Sequence, residues 1–308
     1  MNLALVRFAA RRLASAAVFV LIVAASAFAL TKLAPGDATT ELRASGASPA
    51  VIARERARLG LDQPFVQQCF TWASGIARGD FGESSMFGRP VRALVFERAA
   101  ATARLAGLAL LLATVIGLPL GVVSGATPRH WAARLTAPLS LALVSCPPIV
   151  GALALLLLGA STGWLSIESG AIAVPALALA LPLAASLERL QAQAVRDAIN
   201  APDLVAAAAR GIPPARLIWV HAARQSLRPV LGVYGVVIGS LFGGSFAVEV
   251  ITAWPGLGRL MYDGLRGHDV FLVSGCAMAG ALCLTAGNVI ADLLRAIVDP
   301  RAREAQAS

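Results

Sequence analysis

A single lysine, three histidines and four cysteines bound the chemistry this chain can perform. Lys32 is followed by Leu33 rather than Ser or Thr, so the GxxxxGK[ST] loop that cradles nucleotide phosphates is absent. His130, His221 and His268 lie too far apart for an HExxH zinc site. Ser124, Ser245 and Ser274 each neighbour a glycine, but none completes G-x-S-x-G, and a Ser/Lys dyad would have to use Lys32. Packing through small residues explains these serines more economically. Cys69, Cys146, Cys276 and Cys283 show no metal-site spacing. Cys276 and Cys283 share a helix face, where small apolar side chains in a bundle are the ordinary reading and a metal site the rarer one. With no acid, nucleophile or metal set assembled, neither catalytic residues nor a metal site are expected, and an intramembrane enzyme is disfavoured.

The elements around these residues are membrane helices. Apolar residues make up 57% of the 308 and charged ones only 14%, against about 25% charged in a soluble domain. Six apolar runs, near 13–32, 102–125, 136–159, 171–187, 229–252 and 271–298, approach the ~20 residues a spanning helix needs. Their continuity favours helices over barrel strands. The fourth run is short and interrupted by Pro175 and Pro182, while Pro119, Pro147 and Pro148 read as kinks within spans. The first run has a signal-like Ala25-Ser26-Ala27, but it exceeds the ~7–15 residues of a signal-peptide core and reads as a retained anchor.

Arginine sets the orientation. Short segments on the N-terminal side of the membrane carry Arg7, Arg11, Arg12, Arg129, Arg134, Arg301, Arg303 and six arginines between 188 and 228, whereas the short opposite segments carry only Arg259 and Arg266. The positive-inside rule then makes both termini cytoplasmic. The 33–101 loop holds eight arginines and seven carboxylates, and loops of that length escape the rule. The expected organisation is a cytoplasmic N-terminus and first span (1–32), an extracytoplasmic loop domain (33–101), a five-helix core with a cytoplasmic loop (102–298, loop 188–228) and a cytoplasmic tail (299–308). Much of the formal charge of +9 is this bias, and no basic patch interleaved with aromatics suggests a nucleic-acid partner.

Ionisable residues within the spans reduce to Arg104, Glu249 and Asp292, all near span ends, with Arg295 three residues from Asp292 for local pairing. A self-sufficient carrier would keep such groups deep, so the energy source is expected in a partner. The 188–228 loop contains Ala206–Ala209, a helix-prone run, then Gly211 and Pro213-Pro214, which end it. A short helix, a sharp turn and a second helix from about Ala215 follow, with Ile212, Leu217 and Trp219 as apolar anchors and alanine on the exposed face. Physically this is either a docking element or a surface loop with arginines at the headgroups.

Here the sequence resembles a known family. Ala206-Ala207, Gly211, His221 and Pro229 are similar to the EAA loop of membrane subunits of bacterial ABC importers. Ala253-Trp254-Pro255-Gly256-Leu257-Gly258 and Asp299-Pro300-Arg301 resemble the dipeptide, oligopeptide and nickel branch, as do Leu33-Ala34-Pro35-Gly36-Asp37, Leu59-Gly60-Leu61-Asp62-Gln63-Pro64, Gly79-Asp80-Phe81-Gly82-Glu83-Ser84 and Gly117-Leu118-Pro119-Leu120-Gly121. Val205 stands where the motif's name has an acid, and Ala100 replaces a proline often seen before Thr102.

The resemblance implies an all-α, six-helix permease of the type I importer fold in the bacterial inner membrane. It implies a homologous second permease subunit, two cytoplasmic ATPase subunits or domains that bind ATP and Mg, an extracytoplasmic solute-binding protein, and lipid around the helices. This chain would be non-catalytic and hold no cofactor. Asp203, Ala206, Ala207, Arg210, Gly211, Ile212 and Pro213 would form the coupling element. Ser145, Ser240, Gly243 and Gly244, small residues near kinks, are candidates for the translocation pathway. Trp254, Pro255, Gly256 and Gly258 would form an outer gate or interface segment, within a short helix expected over 253–268. Di- or oligopeptides are the implied substrate, with nickel or another small solute the alternative.

Overall fold

A computed structural model describes residues 3–33, 36–128, 130–166, 168 and 170–298. Its elements are α1 (Leu3–Leu33), α2 (Thr40–Ala44), α3 (Pro49–Arg58), α4 (Phe65–Ala77), α5 (Val91–Ala126), α6 (Trp131–Ser145), α7 (Pro148–Thr162), α8 (Ala173–Ile199), α9 (Pro202–Ala209), α10 (Pro214–Arg216), a π-helical turn (Leu217–Ala222), α11 (Ala223–Leu231), α12 (Tyr234–Ile251), α13 (Leu257–Arg266) and α14 (Val270–Val298). Helices α1, α5, α8, α12 and α14 contain segments long and apolar enough to span a membrane, and α6 with α7 makes a sixth if the pair is one broken span.

The helices depart from the expected runs at several places. α12 begins at Tyr234 rather than near 229, after a break at Gly232 and Val233. α5 begins at Val91 rather than near 102. The third run is not merely kinked: α6 and α7 meet at 107°, because Pro147 is extended and Pro148 starts a new helix, and neither proline can donate a backbone hydrogen bond. The weak fourth run is the first half of α8, which accommodates Pro182 and continues through Glu188 to Ile199. Residues 188–199, read as the start of a polar loop, are therefore helical. Ala34 and Pro35, Arg129, the 299–308 tail with Asp299-Pro300-Arg301, and the side chains of Arg7, Arg11, Arg12, Asp292 and Arg295 lie outside the described residues.

The chain divides into two compact units, one of 1–103 with 255–285 and one of 104–254 with 286–308. In the first, α1 buries Val20, Ala24 and Phe28, spaced by four on one face, against Trp72, Met278 and Ala281. The rings of Phe28 and Trp72 lie 5.0 Å apart. A second cluster joins Val91, Leu94 and Val95 to Leu257, Leu260, Leu272 and Cys276.

Two aspartates tie down the loops of this unit. Asp269 accepts the Leu272 N–H at 3.0 Å, capping α14, and its other oxygen accepts the Ser84 hydroxyl at 2.6 Å and the Met86 N–H at 3.3 Å. Asp37 accepts the N–H and hydroxyl of Thr39 at 3.0 and 2.5 Å, and Arg56 and Arg43 donate to it at 2.6 and 3.3 Å.

The second unit is organised around α8, which packs against α6, α7, α11 and α12. Gly117, Gly121 and Gly125 put α5 at backbone contact with it: added Cβ atoms would lie 2.5 Å from the Ala184 carbonyl oxygen, 2.6 Å from that of Glu188 and 2.6 Å from that of Ala192. Only glycine permits such an approach. Flanking it, Ala113, Leu187, Val230, Tyr234, Val237 and Ala291 form the apolar core.

Replacing Gly121 by valine therefore overpacks a site that cannot relax, at about 1–3 kcal/mol or more. The purified variant is expected to aggregate several degrees below wild type in a size-exclusion thermal-stability assay, whereas Gly107→Val, whose Cβ meets nothing within 4 Å, leaves the midpoint in place. At Asp37, burial pushes the carboxyl pKa up, but the Thr39 hydrogen bonds and the Arg43 and Arg56 charges outweigh it and hold the group below its ordinary value. A depressed folded-state pKa stabilises above the unfolded value, about 3.9, and the contribution vanishes as pH falls through the folded one. Asp37→Asn is expected to expose 36–62 to limited proteolysis at pH 7, with an acid-active protease cutting wild type and variant alike below that folded pKa.

Candidate functional site

The polar insert after α8 is built around a helix end. Pro202 occupies the first turn of α9, where its missing N–H costs nothing, and Asp203 places a carboxylate by the positive end of the helix dipole. At the other end Arg210 is the C-cap and Gly211 has φ +84°. The Gly211 N–H donates to the Ala208 carbonyl at 3.0 Å and the Ile212 N–H to the Ala207 carbonyl at 3.5 Å. This pair of bonds is a Schellman closure, which needs a left-handed residue where Gly211 stands. Pro213 then runs extended and caps α10, which Pro214 begins.

The insert folds back on its own stem. Leu204, Ala198 and Ala222 form a small buried core, with Ile199 and Leu217 packed beside it. Ala207 is buried too, whereas Ala206 is exposed. Leu204 and Ala207, three apart, form the inward face of α9, so of the alanines expected on the exposed face Ala206, Ala208 and Ala209 are exposed and Ala207 is not. Outward stand Asp203, Val205, Ala206, Arg210, Gly211 and Pro213; Ile212 is half-buried. Of the expected anchors, Leu217 is used internally, while Trp219 and its neighbour Val220 are each 52% exposed. Both lie on the π-helical turn, a geometry frequent at functional sites.

Just above the insert, α8 carries a buried polar cluster that the sequence reading placed outside the spans. Glu188 is 4% exposed; Ser124 of α5 donates a hydrogen bond to one carboxylate oxygen, and Ser140 of α6 donates to the other at 2.7 Å. One turn on, the fully buried Gln191 donates to Ser226 of α11 at 2.8 Å. A carboxylate removed from water needs such donors, and hydrogen bonds to a charge are worth about 1.5–3 kcal/mol each. Hydroxyls on two other helices supply them, and no spacing within α8 signals this.

Of the pathway candidates, Ser145 is exposed at the end of α6 and its hydroxyl donates to the Leu141 carbonyl at 2.9 Å. On α12, Ser240 and Gly243 are exposed, and a Cβ on Gly244 would touch Pro148 and Leu179 at 3.6 Å. The structure thus brings Gly244 to the α6/α7 bend. In the 253–268 segment, Trp254 is buried and donates its N–H to the Glu249 carbonyl at 3.0 Å. Pro255 accepts from Arg98 at 3.3 Å. Gly256 caps α13, the short helix expected there, and Gly258 is buried in its first turn. Among the described residues no three His, Cys, Asp or Glu side chains come together as a metal set.

Residues 117–304 match the family described as binding-protein-dependent transport system inner membrane component, and residues 5–102 match the N-terminal region of such components. A peptide transport system permease protein of Brucella abortus is 33% identical over 306 residues, covering 95% of this chain and 98% of that one. The oligopeptide transport system permease protein AppB of Bacillus subtilis is 31% identical, covering 89% and 92%. The glutathione transport system permease protein GsiC of Salmonella typhimurium is 29% identical, covering 92% and 94%. The helical architecture is the type I ABC importer permease fold, in a multi-pass inner-membrane protein. The chain belongs to the family of inner membrane components of binding-protein-dependent transport systems.

Proposed function

We propose that this chain is one half of a heterodimeric permease that imports di- or oligopeptides, driven by ATPase subunits that engage the 202–213 insert. The supporting observation is the Schellman-closed α9, a small rigid knob with Val205, Ala206 and Arg210 outward, fixed to the end of α8 by its own core. Relatives named for peptide, oligopeptide and glutathione transport support the substrate class. Both termini and the insert lie on the cytoplasmic side, following the arginine distribution. The 33–101 region faces outward and, with 253–268, receives the solute-binding protein. ATP and Mg are held by the partner ATPases and this chain is non-catalytic.

In this mechanism ATP closes the ATPase pair, and the bundle follows because one of its states makes better contacts with the closed pair. Ser145, Ser240, Gly243 and Gly244 line the route beside the bend, and Trp254, Pro255, Gly256 and Gly258 form the outer segment. Gly211 supplies the test. A Cβ there meets nothing within 4 Å, so the only obstacle is its φ of +84°. A β-branched residue is strained at such an angle by roughly 1–3 kcal/mol, whereas asparagine tolerates it. In proteoliposomes containing the whole transporter, Gly211→Val is expected to hydrolyse ATP while losing most peptide uptake, and Gly211→Asn to retain both. Wild-type uptake by Gly211→Val would remove the coupling role.

A further inference from the structure

Helix α6 is weakly anchored to α8. α5, α11 and α12 meet α8 over a buried apolar core that joins Ala113, Ala184, Leu187, Val230, Tyr234 and Val237. Of the described side chains of α6 only Ala133 and Ser140 are buried, seven residues apart on one face. On the Ala133 side of Ser140 a cavity of about 490 Å³ opens between the two helices, lined by Ala133 and Ala137 of α6 and by Glu188, Ala192 and Arg196 of α8. Thr136 and Ser145 turn their hydroxyls to carbonyls of α6 itself. Among the described residues, Ser140 is thus the α6 side chain that hydrogen-bonds another helix, and its acceptor is Glu188.

Holding α6 in place does not require a charge. An apolar pair of similar size would avoid taking a carboxylate out of water, and an ionisable group within a span points to function before packing. What the carboxylate adds is a grip on two helices at once: one oxygen takes Ser124 of α5, the other Ser140 of α6. The two bonds are not equivalent. α5 is already held at α8 by Gly117, Gly121 and Gly125, whereas α6 has no such second contact of backbone on backbone. Ser140 stands five residues before the end of α6. There the chain turns 107° into α7, and Pro148 lies against Gly244 of α12.

We propose that Glu188 is a positioning residue of the transport cycle: through Ser140 it makes α6 and the bend follow α8 when the insert moves. The inference rests on the coupling role of the insert. It adds that a buried carboxylate, rather than apolar contact, carries the movement to the bend beside Gly244.

The test reads peptide uptake per ATP hydrolysed by the whole transporter in proteoliposomes. Ser140→Ala is expected to go on hydrolysing ATP while uptake per ATP falls about tenfold, the equilibrium shift that loss of one bond to a charge implies. Ser140→Thr and Ser140→Val share a shape and differ in the hydroxyl, so the first should transport and the second should not. Glu188→Met, alone or combined with Ser140→Ala, should match Ser140→Ala, because all three cut the same link. Ser124→Ala should lose far less. Spin labels on Leu139→Cys and Asp197→Cys, both exposed, in a background without the native cysteines, report whether α6 follows α8. Adding ATP with vanadate should leave their separation unchanged when Ser140 is present and widen it in Ser140→Ala. Wild-type uptake per ATP in Ser140→Ala, equal behaviour of the Thr and Val variants, a further loss in the Glu188→Met/Ser140→Ala pair, or a separation that ATP does not change in Ser140→Ala overturns the assignment. Wild-type uptake by Gly211→Val would instead remove the role of the insert, whatever the Ser140 variants do.

Discussion

The second unit depends on the contact that Gly117, Gly121 and Gly125 make with α8. Carbonyl oxygens of Ala184, Glu188 and Ala192 lie where α5 side chains would otherwise stand. In a membrane there is no hydrophobic drive between apolar helices, so association rests on close packing and interhelical hydrogen bonds. The glycine row supplies the first and makes the second possible. Because α5 lies this close, the short side chain of Ser124 reaches Glu188. A wider separation would leave that carboxylate with only Ser140 and a much larger desolvation cost. Packing and polar satisfaction are therefore one constraint here.

The same economy recurs at the insert. Gly211 is exposed and touches nothing, so its requirement is purely conformational; it lets α9 close its own carbonyls and lets the prolines turn the chain back. The Ala198, Leu204 and Ala222 core then fixes the knob to the last turns of α8. A displacement of α9 must either break that core or move α8. Since α8 packs against α6, α7, α11 and α12, a rigid movement of it reaches most of the unit. This makes the end of α8 a mechanical stem, whatever binds the knob.

Much of this was legible in the residues. Apolar runs located the helices, and Ala206–Ala209 followed by Gly211 and Pro213-Pro214 located the helix, turn and restart, because glycine and proline act through local backbone physics. Boundaries set by tertiary packing were not legible. α5 extends upstream to Val91 because Val91, Leu94 and Val95 bury against α13 and α14, a contact made across more than 150 residues. Ala207 turned inward for a similar reason: composition can mark alanine as suited to close contact, but only the packing of α9 against the end of α8 and the π-helical turn decides which alanine is covered. The bend at Cys146 exceeded a kink because two prolines in succession remove two backbone donors at one point.

Glu188 shows why apolar-run reading places polar groups too far outside. Its neighbours Arg189 and Gln193 end the run, so the carboxylate looks like the first residue of a loop. Yet a helix rotates its faces by about 100° per residue, and the face bearing Glu188, Gln191 and Val195 stays buried while Arg189, Gln193 and Arg196 look out. The small residues divide in the same way. Gly117, Gly121 and Ser124 pack and donate inward, whereas Ser145, Ser240 and Gly243 are left uncovered by this chain. Richness in Ala, Gly and Ser therefore does not by itself mark a smooth route for solute; the face on which each small residue stands does.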